Sequence, residues 1–245
     1  MREALIVWGG WSGHEPQECA NIIRDMLQED GFKVYLEHTT EAFADPSIHD
    51  LSLIVPIMTM SKIEKEEVKN LAAAVEGGVG IAGYHGGAGD AFRECVEYQF
   101  IIGGQWVAHP GNIIDYRVSI TRPDDPLMEG ITDFPYTSEQ YYMHADPSNE
   151  VLATTTFSGE HAWWIEGVVM PVVWKRKPRQ GPGLLLFAWP CVEGIRCSRN
   201  AHDFPPRCQL GGTLTRVGER SGTWPACVDL AVGRRSRTSP CTRRK

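Results

Sequence analysis

Four stretches of this 245-residue chain concentrate side chains that can move protons or hold a cation. "WGGWSGHEP" carries Trp11 and His14. "GYHGGAGD" carries Tyr84, His85, Gly86 and Gly87. "GGQWVAHPGN" carries Gln105, Trp106 and His109. "SEQYYMHADP" carries Glu139, Gln140, Tyr141, Tyr142 and His144. Imidazole exchanges protons near neutral pH. A neighbouring carboxylate can share that acid/base work, and both groups bind divalent metals such as zinc. Indole offers a flat face to a sugar or base, and an amide offers paired donors and acceptors. No pair of these histidines has the HxxxH or HExxH spacing of a helical zinc site. A metal would have to be assembled from separate loops, with His14, His85 and His109 as the candidate ligands.

"GYHGG" has a reactive-type residue between glycines at a strand-to-helix junction. That is the pattern of a nucleophile elbow, with His85 where hydrolases place Ser or Cys. Glycine permits the sharp turn and the close backbone approach. The plainer reading is a tight turn with an incidental histidine.

These stretches need a scaffold, and the first hundred residues supply strand and helix signals in alternation. "ALIVWG" reads as a buried strand. Pro16 suits a helix's first turn, and Cys19, Ile22, Ile23, Met26 and Leu27 recur at helical spacing. "FKVYLE", "LSLIVPIM" and "VGIAGY" are further strands. Ser61 and Glu64 form a capping-box pattern before a helix through Val75. Asp90 is positioned to cap another helix through Phe92, Cys95, Val96 and Phe100. Such alternation predicts a doubly wound, mostly parallel α/β sheet. In a flavodoxin-like order, ligands bind beyond the carboxyl ends of strands where the order reverses. The first and fourth strands would flank that crevice and bring Trp11, His14, Tyr84 and His85 to one mouth. From Asn112 onward, "IIDYRVSIT", "EVLATTTF" and "MPVVWKRK" read as strands that extend the sheet or add a small lobe. Cys19 and Cys95 read as core, and Trp163 and Trp164 as either core or pocket rim.

The formal charge of -7 conceals an asymmetry. Residues 1–177 hold 12 basic and 27 acidic residues, whereas 178–245 hold 12 basic and 4 acidic. Five of the seven cysteines also lie in the second part. A nucleic-acid tail, a zinc module or sequence foreign to the fold would each produce such a contrast. The tail spacing C-x5-C-x4-H-x5-C, from Cys191 to Cys208, does not match the short C-x2-C loops of zinc modules. No apolar run approaches the length of a membrane span, and no signal peptide is recognisable. These features predict a cytoplasmic protein that binds neither membrane nor nucleic acid.

Taken together, "VWGGWSGHEP", "GVGIAGYHGG", "DAFR", "YQFIIGGQWVAHPGNIIDYRV", "SEQYYMHADP", "EVLATTTF" and "MPVVWKRK" resemble the trehalose-utilisation (ThuA-like) family. The resemblance covers nearly all of residues 1–177. It implies a fold like that of class I glutamine amidotransferases, with His85 at the position of their nucleophilic cysteine. It also implies a role in disaccharide uptake and catabolism through 3-keto sugars. The family's ending, with a "GRVFY" strand, a "SLGH" histidine and a final helix, is not found after Lys177. The codons of Trp189–Thr213, taken one base later, can spell GHASKAFDVPEMPTIFRQGVNWAA, a sequence of that type. We therefore expect residues 178–245 to be a disordered frameshift tail. The 1–177 domain would then lack its last strand and helix, with reduced stability and weak or absent activity.

These readings converge on sugar chemistry at a histidine-rich crevice. His85 and Glu139 are the expected proton-transfer residues. Trp11, His14, Tyr84, Gly86, Gly87, Gln105, Trp106, His109, Gln140, Tyr141 and His144 are expected to bind the substrate. The expected partner is a small sugar, and a homo-oligomer is compatible with the sequence. A non-catalytic sugar-binding or regulatory protein on the same scaffold is the alternative.

Overall fold

The computed structural model describes residues 2–177 and the backbone of 185–188. β1 (Arg2–Trp8) buries Ala4 through Val7 without a break, as a strand covered on both faces must. Pro16 opens α1 (Pro16–Glu29), and β2 (Phe32–Glu37) follows Gly31. β3 (Leu53–Ile57), α2 (Lys65–Glu76) and β4 (Gly80–Tyr84) continue the alternation. A single turn, α3 (His85–Gly89), leads to α4 (Val96–Ile102). Then come β5 (Gly104–Ala108), β6 (Ile113–Ile120), β7 (Phe134–Glu139) and β8 (Tyr142–Ala145). β9 (Glu150–Thr156), β10 (Val169–Arg176) and β11 (Leu185–Ala188) complete the described strands.

Nine strands form one sheet in the order β2-β1-β3-β4-β11-β10-β9-β6-β7. The first five run parallel, and the last four are joined by antiparallel pairings. β5 and β8 make a separate antiparallel pair. Alternation along β1 divides the core. Ala4 and Ile6 pack with Cys19, Ile23 and Leu27 of α1. Leu5 and Val7 pack with Val68, Leu71 and Val75 of α2 and with Tyr98 and Ile102 of α4. Helices on both faces of a parallel half-sheet are the doubly wound arrangement expected from the sequence. Among the described residues, no helix is long and apolar enough to cross a membrane.

Several sequence expectations are corrected. β3 lies between β1 and β4, so residues after β3 also enter the crevice. α2 begins after Glu64, whose N–H donates to the Glu67 carboxylate at 2.8 Å; the capping pair is therefore Glu64–Glu67, not Ser61–Glu64. Asp90 does not cap a helix through Phe92. It accepts two bonds from Arg93, and the helix starts at Val96. β5, β7 and β8 arise in segments whose Gly, Pro and polar content reads as loop.

The slot between β4 and β10, expected to be vacant, is filled by β11, which pairs with both neighbours. Ladder pairing needs only backbone groups in extended conformation, and the apolar run LLFA supplies them whatever its coding origin. Apart from β11, the expected frameshift tail and missing final helix concern residues outside those described.

Trp174 ties the antiparallel half to α4. It is 1% exposed, and its indole N–H donates to the Ile102 carbonyl at 2.8 Å. Trp174→Phe leaves that buried carbonyl unpaired, and we expect a loss of about 1–3 kcal/mol in urea denaturation. A change below about 0.5 kcal/mol would contradict this packing role.

Candidate functional site

The site is built at the carboxyl ends of the parallel strands. After β1 the chain turns so that the Trp11 N–H donates to the Thr59 carbonyl at 2.9 Å. His14 follows in a short 3-10 turn, with Nδ1 3.0 Å from the Thr59 hydroxyl oxygen. That contact fixes the ring and leaves Nε2 for the crevice. The Cys19 thiol donates to the His14 carbonyl at 3.1 Å.

His85 starts α3 with φ 45°, a left-handed conformation that is strained for a residue with a side chain. The expected elbow is therefore real, with an imidazole at its apex. Gly86 is required for close approach, since a Cβ there would lie 2.5 Å from His14 Cε1. The antiparallel half delivers Glu139 as the last residue of β7, and Tyr141 follows. His109 sits just past β5, in a turn closed by the Asn112 N–H donating to its carbonyl at 3.0 Å.

Three imidazoles converge on the Glu139 carboxylate. His85 Nε2 is 3.0 Å from Oε2, His14 Nε2 is 4.0 Å from Oε2, and His109 Nε2 is 3.6 Å from Oε1. The close contact with His85 is the largest influence holding the Glu139 carboxyl down at about 2. Burial opposes this, and the charges of His85, His109 and His14 add to it. Glu139 is thus a carboxylate across the physiological range.

Donor atoms of His14, His85 and Glu139 all lie within 4.8 Å of one another. Ligands about 2.0–2.1 Å from a tetrahedral zinc are about 3.4 Å apart, so this donor set fits a divalent cation. The metal set expected from sequence was His14, His85 and His109. The structure gathers Glu139 in place of His109, whose Nε2 faces the other carboxylate oxygen.

Aromatic rings form one wall. The Tyr141 ring packs 4.7 Å from the His85 ring, with its hydroxyl 3.4 Å from His85 Nδ1, and stacks 5.9 Å from His109. Trp106 lies 5.8 Å from His109, and the Arg93 guanidinium sits 4.3 Å over the indole. Trp106 Nε1 and His109 Nδ1 are buried with no hydrogen-bond partner among the described residues. Trp11, half exposed, meets the His14 ring edge-on at 4.7 Å.

Trp11, His14, His85, Gly86, Trp106, His109, Glu139 and Tyr141 are therefore brought together, and Gly87 packs its backbone on Ile57 beside them. Tyr84, Gln105, Gln140 and His144 are not. Tyr84 belongs to the core layer beneath α1. Gln105 and His144 are exposed cross-strand partners, on the face of β5–β8 opposite Trp106 and Met143. Gln140 alternates away from Glu139 and Tyr141, and its amide donates to the Thr155 hydroxyl at 2.7 Å. Strand alternation, unseen while these segments read as loops, explains the placements of Gln105 and His144, whereas Gln140 lies in the connection between β7 and β8. Thr59, Asp90 and Arg93 were missed as site residues. The only sequence signal for the last two was "DAFR", and Thr59 had none.

The depressed Glu139 carboxyl has a measurable consequence. Because its folded value lies below the ordinary 4.5, its contribution is present above the unfolded pKa and is lost as pH falls toward about 2. In metal-free protein, the stability gap between wild type and Glu139→Gln should shrink from about pH 5 to about pH 3 in urea denaturation. A gap that widens over that interval would contradict the assignment.

The model of the family described as "Trehalose utilisation" (ThuA) matches residues 3–185. A ThuA-like protein from Bacteroides uniformis superposes with a TM-score of 0.62 at 15% identity, covering 76% of this chain and 80% of that one. A second, from Parabacteroides merdae, gives 0.61 at 17% identity, covering 76% and 78%. The GH42 β-galactosidase Gan42B of G. stearothermophilus is similar in fold over 82% of this chain and 29% of its own, with a TM-score of 0.52 at 11% identity. No curated protein matches the chain. The family match runs from β1 through β10 and includes the elbow at His85 and the carboxylate at Glu139, and the chain belongs to the trehalose-utilisation (ThuA) family.

Proposed function

We propose that this protein is an enzyme of sugar utilisation that acts on a keto-sugar or disaccharide at the His85–Glu139 centre. The observation that carries the reading is the convergence of three imidazoles on one carboxylate held down at about 2. His85 exchanges a proton with the sugar, and Glu139, anionic across the physiological range, stabilises the imidazolium that forms. Tyr141, beside His85 Nδ1, orients that ring. Trp106 Nε1–H is a donor, and His109 Nδ1 a donor or acceptor, for sugar hydroxyls. His14 is held by Thr59 so that its Nε2 faces the same carboxylate.

The His14, His85 and Glu139 donors would hold a divalent cation such as zinc. When bound, such an ion polarises a carbonyl or hydroxyl oxygen. The aromatic lining by Trp11, Trp106 and Tyr141 would equally serve a sugar-binding or regulatory protein without turnover.

The reading includes a cytoplasmic location and a role in carbohydrate metabolism. It also keeps the frameshift origin of residues 178–245, which sequencing the source gene around the Lys177 codon tests. An uninterrupted frame in close relatives would contradict that origin.

Turnover of 3-ketotrehalose, followed by product analysis, tests the enzyme reading. Wild type should convert it, and His85→Ala and Glu139→Gln should each lose about 10²–10⁴-fold. Saturable binding without turnover would replace the enzyme by the binding protein. For the metal, chelated protein titrated with zinc should take up about one ion per chain. His14→Ala should weaken that uptake at least about tenfold; unchanged uptake would contradict the ligand set.

A further inference from the structure

Trp163 and Trp164 are 66% and 79% exposed. Two adjacent exposed indoles are an unusual surface, and such apolar patches mark binding sites. The rings stack on each other with centroids 3.7 Å apart, forming a slab whose outer faces meet solvent. The slab sits on the loop between β9 and β10, and that loop is well ordered by its own bonds. The Phe157 N–H donates to the Val168 carbonyl at 3.0 Å, and the Gly167 N–H donates to the Phe157 carbonyl at 2.9 Å. Inside the loop, Ile165 and Glu166 N–H groups donate to Ala162 and Trp163 carbonyls. The indoles are thus presented on a closed frame, which lowers the ordering cost of binding.

The loop also leans on the site. A Cβ at Gly111 would lie 2.4 Å from His161 Cδ2, so the His161 ring rests on the Gly111 backbone. Gly111 belongs to the turn that carries His109. One residue, Pro110, separates His109 from Gly111, and one, Ala162, separates His161 from Trp163. Each pair spans at most about 7 Å.

We propose that the Trp163–Trp164 slab is a platform for the second ring of a disaccharide whose first ring occupies the His85–Glu139 centre. The proposal rests on the sugar-acting reading above and assigns the residues that hold the second ring of its substrate. The apolar C–H face of a pyranose lies on indole, and its hydroxyls stay in water. The two indoles therefore recognise ring shape without fixing hydroxyl stereochemistry. Hydroxyl discrimination is left to Trp106 and His109.

Binding of 3-ketotrehalose and 3-ketoglucose, measured by calorimetry on the full chain, tests this. The two probes share the reactive ring and differ in the second. Wild type should prefer 3-ketotrehalose. Trp163→Ala and Trp164→Ala should weaken it about five- to tenfold and leave 3-ketoglucose unchanged. Undiminished 3-ketotrehalose affinity in the tryptophan variants would overturn the platform while the sugar-acting reading stands. Wild type that binds neither probe would overturn both. Loss of self-association in the tryptophan variants, with sugar affinity unchanged, would make the slab a contact between copies instead.

Discussion

The contact between His85 and Glu139 joins the two halves of the molecule. His85 stands at the end of a parallel strand, in the half that the doubly wound topology builds. Glu139 stands at the end of β7, the outermost strand of the antiparallel half. Between them in the sheet lie β11, β10, β9 and β6. A carboxylate taken partly out of water needs compensation, and three imidazoles on separate loops supply it. The curvature that brings β7 back over the crevice is therefore a requirement of the chemistry. Burying Trp174 and pairing β10 with both β9 and β11 hold that geometry.

Strain and close approach are concentrated at the same place. His85 adopts a left-handed backbone and is 6% exposed. Gly86 has no room for a Cβ against His14. Thr59 fixes one nitrogen of His14, and the Trp11 backbone is pinned to the Thr59 carbonyl. A turn that merely reversed the chain would need none of these. Together they present two imidazole edges to one carboxylate.

Much of this was legible in the sequence, for a definite reason. β1, β3 and β4 are buried on both faces and read as unbroken apolar runs, and α1 announces itself through Pro16 and helical spacing. The residues His14, His85, His109 and Glu139 stood out because histidine and glutamate beside Gly/Pro turns are chemically conspicuous. What failed was orientation. "GGQWVAH" and "SEQYYMHA" look like loops because glycine and polar residues dominate them, yet they pair as β5, β7 and β8. Once they are strands, alternation sends Trp106 inward and turns Gln105 and His144 away, while Gln140 and Tyr141 sit in the connection between β7 and β8. Thr59 was invisible because a threonine after β3 carries no chemical signal of its own, although a flavodoxin-like order already sets β3 beside β1.

The central claim is that sugar is handled where His14, His85 and His109 meet Glu139. The most direct measurement is an imidazole-resolved nitrogen–proton NMR titration of the full chain with 3-ketotrehalose. The account predicts saturable shifts for the His14, His85 and His109 ring signals, with His49, which is engaged with Asn70 on the surface, and His144 unmoved. Shifts confined to His144 or His49, with the three crevice histidines silent, would contradict it.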